Sequence, residues 1–263
     1  MKKATTIASA LLISTFILGA ASPAFAEQVA APTTDATVKF KSEAQDADNG
    51  GNTIDPTNPG GDGVKPDTGE GSTGTKGPLR VDFAPNFKFG TVTMSGNAAK
   101  YHPVYPKVNL LDKTGKLTEP LQSKYVPHYV QVTDNRGTNE GWQLTASATA
   151  FQGTKDPKAD LKATLTLGHS EFSTAVIGET LKPRTLNTNI TLNSIPQTLI
   201  QAEVNQGMGS WATVFSKDKT TEFSNLDTNP NITLSVPADS KKDATEEYKS
   251  TITWTLSSTP TAP

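Results

Sequence analysis

The sequence predicts an all-β protein, an antiparallel β-sandwich or partly open barrel preceded by a disordered linker. Three observations predict it. Apolar residues recur with period two, threonines fill many of the alternate positions, and turn signals such as Asn135-Arg136-Gly137 and Gln152-Gly153 separate the runs. No stretch carries a convincing helical period; Asp239 to Tyr248 holds at most one short turn.

The elements follow in chain order. Met1-Lys2-Lys3, the uncharged apolar run Ile7 to Ala21 and the small-x-small site Ala24-Phe25-Ala26 read as a secretory signal peptide, cut after residue 26. That run is too short and wrongly flanked for a stable membrane span. Residues 27–78 read as a linker. From Lys41 to Pro78 the chain has no aromatic residue, and Ile54 and Val64 are its only large aliphatics. Glu43, Asp46, Asp48, Asp55, Asp62, Asp67 and Glu70 oppose only Lys41, Lys65 and Lys76. Such a tract cannot bury enough apolar area to offset chain entropy, and is expected to be disordered. Asp46-Ala-Asp48-Asn49-Gly50 only glances at a calcium loop: Gly51 stands sixth, but Thr57 occupies the twelfth position, where such a loop wants Glu.

Residues 79–263 are expected to form the folded domain, of roughly ten short strands. Leu161, Ala163, Leu165 and Leu167 alternate with polar residues, as do Ile232, Leu234 and Val236. Tyr248, Ser250, Ile252, Trp254 and Leu256 alternate with Lys249, Thr251, Thr253, Thr255 and Ser257, and read as one strand.

Composition excludes several function classes. Without a cysteine there is no disulfide scaffold, thiolate zinc site, cysteine nucleophile or lipid-anchored first residue. Loss of Lys2 and Lys3 with the leader leaves 22 basic and 26 acidic side chains, which is no basic face for nucleic acid. His102, His128 and His169 show no metal spacing, so no cofactor or metal is expected. Lys113-Thr114-Gly115 and Ser216-Lys217-Asp218-Lys219 imitate two boxes of peptidoglycan-acting serine enzymes. Their order is reversed, and a Ser-x-x-Lys needs a helix start that this strand-rich region does not offer.

The tryptophans carry the most specific signal. Two stand in Trp142-Gln143-Leu144 and Trp254-Thr255-Leu256, where Trp and Leu share one strand face. Asp134-Asn135-Arg136-Gly137 precedes the first, and Gly207-Met208-Gly209-Ser210-Trp211 lies between them. Leu79-Arg80-Val81-Asp82-Phe83-Ala84-Pro85-Asn86-Phe87-Lys88-Phe89-Gly90 opens the domain. This ordered set, over Leu79 to Pro260, closely resembles the WxL-domain family of Gram-positive cell-surface proteins.

The resemblance implies a β-rich, non-catalytic domain, secreted and held non-covalently on the cell wall through peptidoglycan. It also implies complexes with other WxL proteins and a membrane-anchored companion. The absence of an L-P-x-T-G signal and of a hydrophobic tail agrees with non-covalent attachment, and no membrane span is expected after signal removal. The runner-up reading is a complex subunit whose wall association is indirect; a third is an adhesin for host matrix. Trp142, Leu144, Trp254, Leu256, Asp134, Arg136 and Trp211 are the candidate peptidoglycan-binding residues. Each Trp-x-Leu pair reads either as sandwich core or as an indole stacked on a glycan ring. Trp254, flanked by bulky residues, is expected to be the more buried, and Trp142, followed by Leu144, Ala146, Ala148 and Ala150, the milder to truncate. The Asp134–Gly137 segment reads as a tight turn or as a loop offering Arg136 to stem-peptide carboxylates. Gly207-x-Gly209 reads as close backbone packing against Trp211.

Overall fold

The computed structural model describes residues 36–258 except 73, 177, 187, 220 and 221. The expected signal peptide, the first residues of the expected linker and Thr259 to Pro263 lie outside them. Before Phe40 only residues 36–39 are described, without secondary structure and exposed; the strands and sheets all belong to the unit from Phe40 onward.

Eighteen strands succeed one another among the described residues. They are β1 (Val64–Pro66), β2 (Gly71–Ser72), β3 (Leu79–Pro85), β4 (Ala99–Tyr101), β5 (Lys107–Leu110) and β6 (Ser123–Tyr125). Next come β7 (Tyr129–Asp134), β8 (Trp142–Ala148), β9 (Gln152–Gly153), β10 (Thr164–Gly168), β11 (Glu171–Ser173) and β12 (Arg184–Thr185). The last are β13 (Asn189–Leu192), β14 (Gln197–Ala202), β15 (Gly209–Val214), β16 (Ile232–Val236), β17 (Tyr248–Lys249) and β18 (Ile252–Ser257). A single 3-10 turn, Glu179–Leu181, precedes β12. The strands pair antiparallel into five sheets, ordered β11-β15-β7-β3-β2, β12-β14-β8-β18, β13-β10-β16-β4, β1-β5-β6 and β17-β9. The fold is therefore the expected layered all-β architecture, and no sheet closes into a barrel.

The five-stranded sheet is the middle layer. One face, with Val81, Val130, Val132 and Trp211, packs on Trp142, Leu144, Ile200 and Ala202 of β8 and β14. Leu165, Leu167, Ile190 and Ile232 of β10, β13 and β16 close the same core. The other face is mixed. A bulge between Val81 and Phe83 turns Phe83 away from the first core, onto Tyr129 at 5.0 Å between ring centres. Val64, Val108 and Val126 of and beside the β1-β5-β6 sheet pack there with Ala212 and Val214.

Polar residues occupy the rest of that face, and they are covered. The buried Asp82 carboxylate accepts hydrogen bonds from Arg80 Nε at 2.7 Å, Gln131 Nε2 at 2.8 Å and Thr133 Oγ1 at 2.5 Å. Arg80 Nη1 donates to Glu43 Oε2 at 2.6 Å, the Ile54 N–H donates to Gln131 Oε1 at 2.7 Å, and Thr53 Oγ1 meets the Tyr129 hydroxyl at 2.6 Å. A buried carboxylate or guanidinium without partners costs several kcal/mol, so each contact here is required rather than decorative.

This overturns one expectation. The tract read as a disordered linker up to residue 78 is ordered from Glu43 onward: Thr53, Asp55 and Val64 are buried, and β1 and β2 pair into sheets. The tract stabilises itself by capping another segment's polar face, not by burying its own few apolar side chains. Two strand assignments also change. Lys162 has φ 52°, which breaks the Leu161–Leu167 alternation, so β10 begins at Thr164. The run from Tyr248 divides into β17 and β18, because Ser250 Oγ donates to Thr149 O and the Thr251 N–H donates to Thr149 Oγ1.

Candidate functional site

The seven residues singled out by sequence form one connected frame around the ends of β7, β8, β15 and β18. β8 and β18 pair antiparallel with Leu144 opposite Leu256 and Ala146 opposite Trp254. The two Trp-x-Leu segments therefore lie side by side, and their apolar side chains share one face of the sheet. Trp142 and Leu144 are completely buried; Trp254 and Leu256, on the outer strand, are half-buried. The burial order is thus the reverse of the one expected. Ala146 and Ala148, the small residues that follow Leu144, stand opposite Trp254 and Ile252 across the strand pair and leave room for them.

A single loop satisfies both interior indoles. Trp142 Nε1 donates to Gly207 O and Trp211 Nε1 donates to Met208 O, each at 3.1 Å. Gly207 has φ 79°, and a Cβ there would stand 2.3 Å from Trp142 Nε1. The Gly-x-Gly-x-Trp spacing is therefore a packing requirement: one residue must lack a side chain so that its carbonyl reaches the indole. Trp211 is itself 2 % exposed, with Phe172 edge-on at 5.7 Å.

Asp134 and Arg136 close the corner between β7 and β8. Arg136 Nε and Nη2 donate to the two carboxylate oxygens of Asp134 at 2.9 and 2.7 Å. Nη2 also donates to Gly141 O at 2.6 Å, and Nη1 to Ser258 O at 3.4 Å. Donating to the Asp134 carboxylate raises the guanidinium above its ordinary pKa. Its donors are used internally, tying the start of β8 to the end of β18. Asp134 and Arg136 thus form a tight, internally hydrogen-bonded corner.

A solvent-facing site lies next to this frame, built largely from residues the sequence did not single out. A cleft of about 270 Å³ opens between the Pro56–Pro59 turn, β11 and the segment 174–182, with Trp211 at its base. Phe172, Val176 and Pro56 supply its apolar wall; Thr57, Thr174, Lys182 and Lys219 supply polar groups. The turn is rigid. Asp55 Oδ1 accepts from the Thr57 N–H at 2.9 Å and from Thr57 Oγ1 at 2.8 Å, Lys124 Nζ holds Oδ2 at 2.5 Å, and Ser173 Oγ donates to Pro56 O at 2.9 Å. Lys219 donates to Glu171 at 2.6 Å, which holds that carboxyl below the usual range, whereas Lys182 stands 3.8 Å from Glu179 and is half-exposed. The only sequence signal for this turn is Asp55-Pro56-x-x-Pro59, which reads equally as linker punctuation.

A wider depression of about 530 Å³ beside β4, β10 and β16 is lined by Ala98, Ala99, Thr164 and Val236, with Lys100 and Lys162. Lys162 is already paired to Asp239 at 2.8 Å, and the depression holds no aromatic or convergent polar group. It is larger but chemically poorer.

The serine-lysine imitation dissolves: Ser216 Oγ donates to Asp218 O at 2.7 Å, while Lys219 is held by Glu171. Among the described residues no three His, Asp or Glu side chains converge as a metal site. None of their helices is long and apolar enough to cross a membrane.

A protein-family model described as "WxL domain surface cell wall-binding" matches residues 27–260. No curated protein and no solved structure matches the chain. The family match begins well before residue 79, in agreement with a domain that includes the ordered tract around Val64.

Proposed function

Since the chain belongs to the WxL family of cell wall-binding surface domains, we propose that it attaches non-covalently to the Gram-positive wall by binding peptidoglycan, without catalysis, and that the cleft beside Trp211 makes the contact. The observation that carries this is the pairing of an apolar aromatic wall with hydroxyls and a loosely held cation in one rigid cleft. The exposed part of Phe172 suits the apolar face of a sugar ring, and the Thr57 and Thr174 oxygens, whose own hydrogens go to Asp55 Oδ1 and Ser210 O, suit its hydroxyls as acceptors. Lys182, whose half-exposed partnership with Glu179 is worth little, suits a stem-peptide carboxylate.

Co-sedimentation with purified walls stripped of protein tests it. The chain is expected to pellet, and Phe172→Ala and Lys182→Ala to weaken binding while the fold persists. A chain that stays in solution would overturn wall binding itself. A Phe172→Ala chain that pellets like the parent would leave wall binding standing and remove the cleft.

A second reading, a subunit in a surface complex with other WxL proteins and a membrane-anchored companion, is favoured by one feature. The outer edge of β18 carries no described partner strand. In that reading only walls still bearing their proteins retain the chain.

A further inference from the structure

Two halves of an unmade strand pair occur in this chain. The acceptor is β18. Among the described residues every other outer strand of the sheets has two to four residues, whereas β18 has six. From Ser250 to Ser258 it carries no charge and no proline, two of the usual devices against edge pairing. Its polarity is defined. The Ala148 N–H donates to Asn193 O, away from β18, and the Thr149 N–H donates to Thr251 O, toward it. Backbone direction alternates along a strand, so Thr253 and Thr255 bond to β8, and the N–H and C=O groups of Ile252, Trp254 and Leu256 face the open edge.

The donor is Ala36-Thr37-Val38-Lys39-Phe40-Lys41, a strand pattern with apolar residues on one side and Thr or Lys on the other. Val38 is 78 % and Phe40 87 % exposed, and neither belongs to a strand. Single exposed apolar residues need no explanation; two in strand alternation, with Lys39 between them and Lys41 after, do.

We propose that residues 36–41 of one copy add as a strand to the β18 edge of a second copy. The two patterns match. Val38 and Phe40 extend the half-buried row of Ile252, Trp254 and Leu256, while Lys39 and Lys41 fall on the solvent side beside Thr253 and Thr255. Each copy carries both halves, so the contact is head-to-tail: it closes if two copies exchange arms and otherwise propagates along a row. This proposal does not depend on wall binding.

Light scattering and sedimentation of residues 27–263 over a range of concentrations test it. The expected result is a mass that rises from that of one chain toward two or more, with a blue shift of Trp254 emission. The double variant Val38→Asp/Phe40→Asp, which alters only exposed side chains, should stay monomeric. So should Ile252→Pro, which removes one outward N–H at the start of an edge strand, where proline is tolerated. A chain monomeric throughout overturns the proposal, including one whose residues 36–41 are protected from amide exchange by pairing within their own copy. Self-association that survives Val38→Asp/Phe40→Asp overturns it as well, whatever becomes of the proline variant.

Discussion

The carbonyl of Gly207 receives the indole N–H of Trp142 from 65 residues away, at 3.1 Å. The same glycine has no room for a Cβ, because that nitrogen would be 2.3 Å from it. Two motifs that look independent in the sequence are therefore one packing unit.

Trp142→Ala is expected to cost about 3–5 kcal/mol, a large share of the stability of a domain this size, because a fully buried indole is lost. Gly207→Ala should be of the same order, since the clash is with a ring that cannot move. Trp254→Ala, on the half-buried outer strand, should cost only about 1–2 kcal/mol. Urea unfolding of the three variants gives the ranking. A Trp254→Ala loss larger than that of Trp142→Ala would contradict the burial order of the two rings.

Truncation at Leu79 should destroy the fold rather than trim it. It would strip the cover from Arg80, Asp82, Gln131 and Tyr129, leaving buried polar groups without partners. The truncated chain should lose its cooperative thermal transition. Limited proteolysis of the longer chain should leave a resistant fragment that still contains Val64. A stable core beginning near residue 79 would show that the tract is dispensable.

Acid should weaken the fold through His128. Its ring is 1 % exposed, stacked 5.2 Å from Phe87, and burial lowers its pKa from 6.5 to about 3. The unfolded chain takes up a proton near 6.5 and the folded one does not until about 3. The stabilising contribution is therefore complete above pH 6.5 and is lost progressively as pH falls from there toward 3. Glu43 acts in the same direction at lower pH, because the hydrogen bond from Arg80 depresses its pKa. Denaturant midpoints measured down this range should fall less steeply for His128→Phe than for the parent. Equal slopes would place a charged or accessible ring at 128.

Arg136→Ala should cost about 3 kcal/mol by leaving the buried Asp134 carboxylate without its cation. Arg136→Lys should recover only part, since an ammonium cannot satisfy both oxygens and the Gly141 carbonyl together. Asp134→Asn/Arg136→Ala should be less damaging than Arg136→Ala alone. If Arg136→Ala keeps full stability and loses wall binding, the side chain is a ligand contact after all.

The parts of the fold that are legible in sequence are those where one face is apolar and the other wet. Ile232, Leu234 and Val236 alternate in burial as they do in polarity, and β18 keeps its Trp-x-Leu face. The second face of the middle sheet is not legible. Arg80, Asp82, Gln131 and Thr133 have the look of solvent-facing positions, and nothing local says that residues 43–66 lie over them. For the same reason the acidic, glycine-rich tract passes for disorder: its stabilising contacts are long-range hydrogen bonds, which leave no periodic signature. The order of burial of Trp142 and Trp254 is hidden too. Bulk of the neighbours suggests it, but position in the sheet decides it, and an outer strand is half-exposed whatever its residues. The cleft is invisible in sequence because its walls come from segments around 56, 172, 182 and 219 that only the fold brings together.

The pairing of Thr145 with Thr255 joins residues 110 apart. During synthesis β8, with Trp142 at its head, must wait for that much more chain before its second neighbour exists. Loop closure over such distances is slow, and β-topologies dominated by it fold in roughly milliseconds to seconds. Until then an apolar strand edge stands open, the state from which chains misassociate. The protein is thus committed to folding late and all at once, so a chain stalled before residue 252 should be a target for chaperones or proteases rather than a partly working domain.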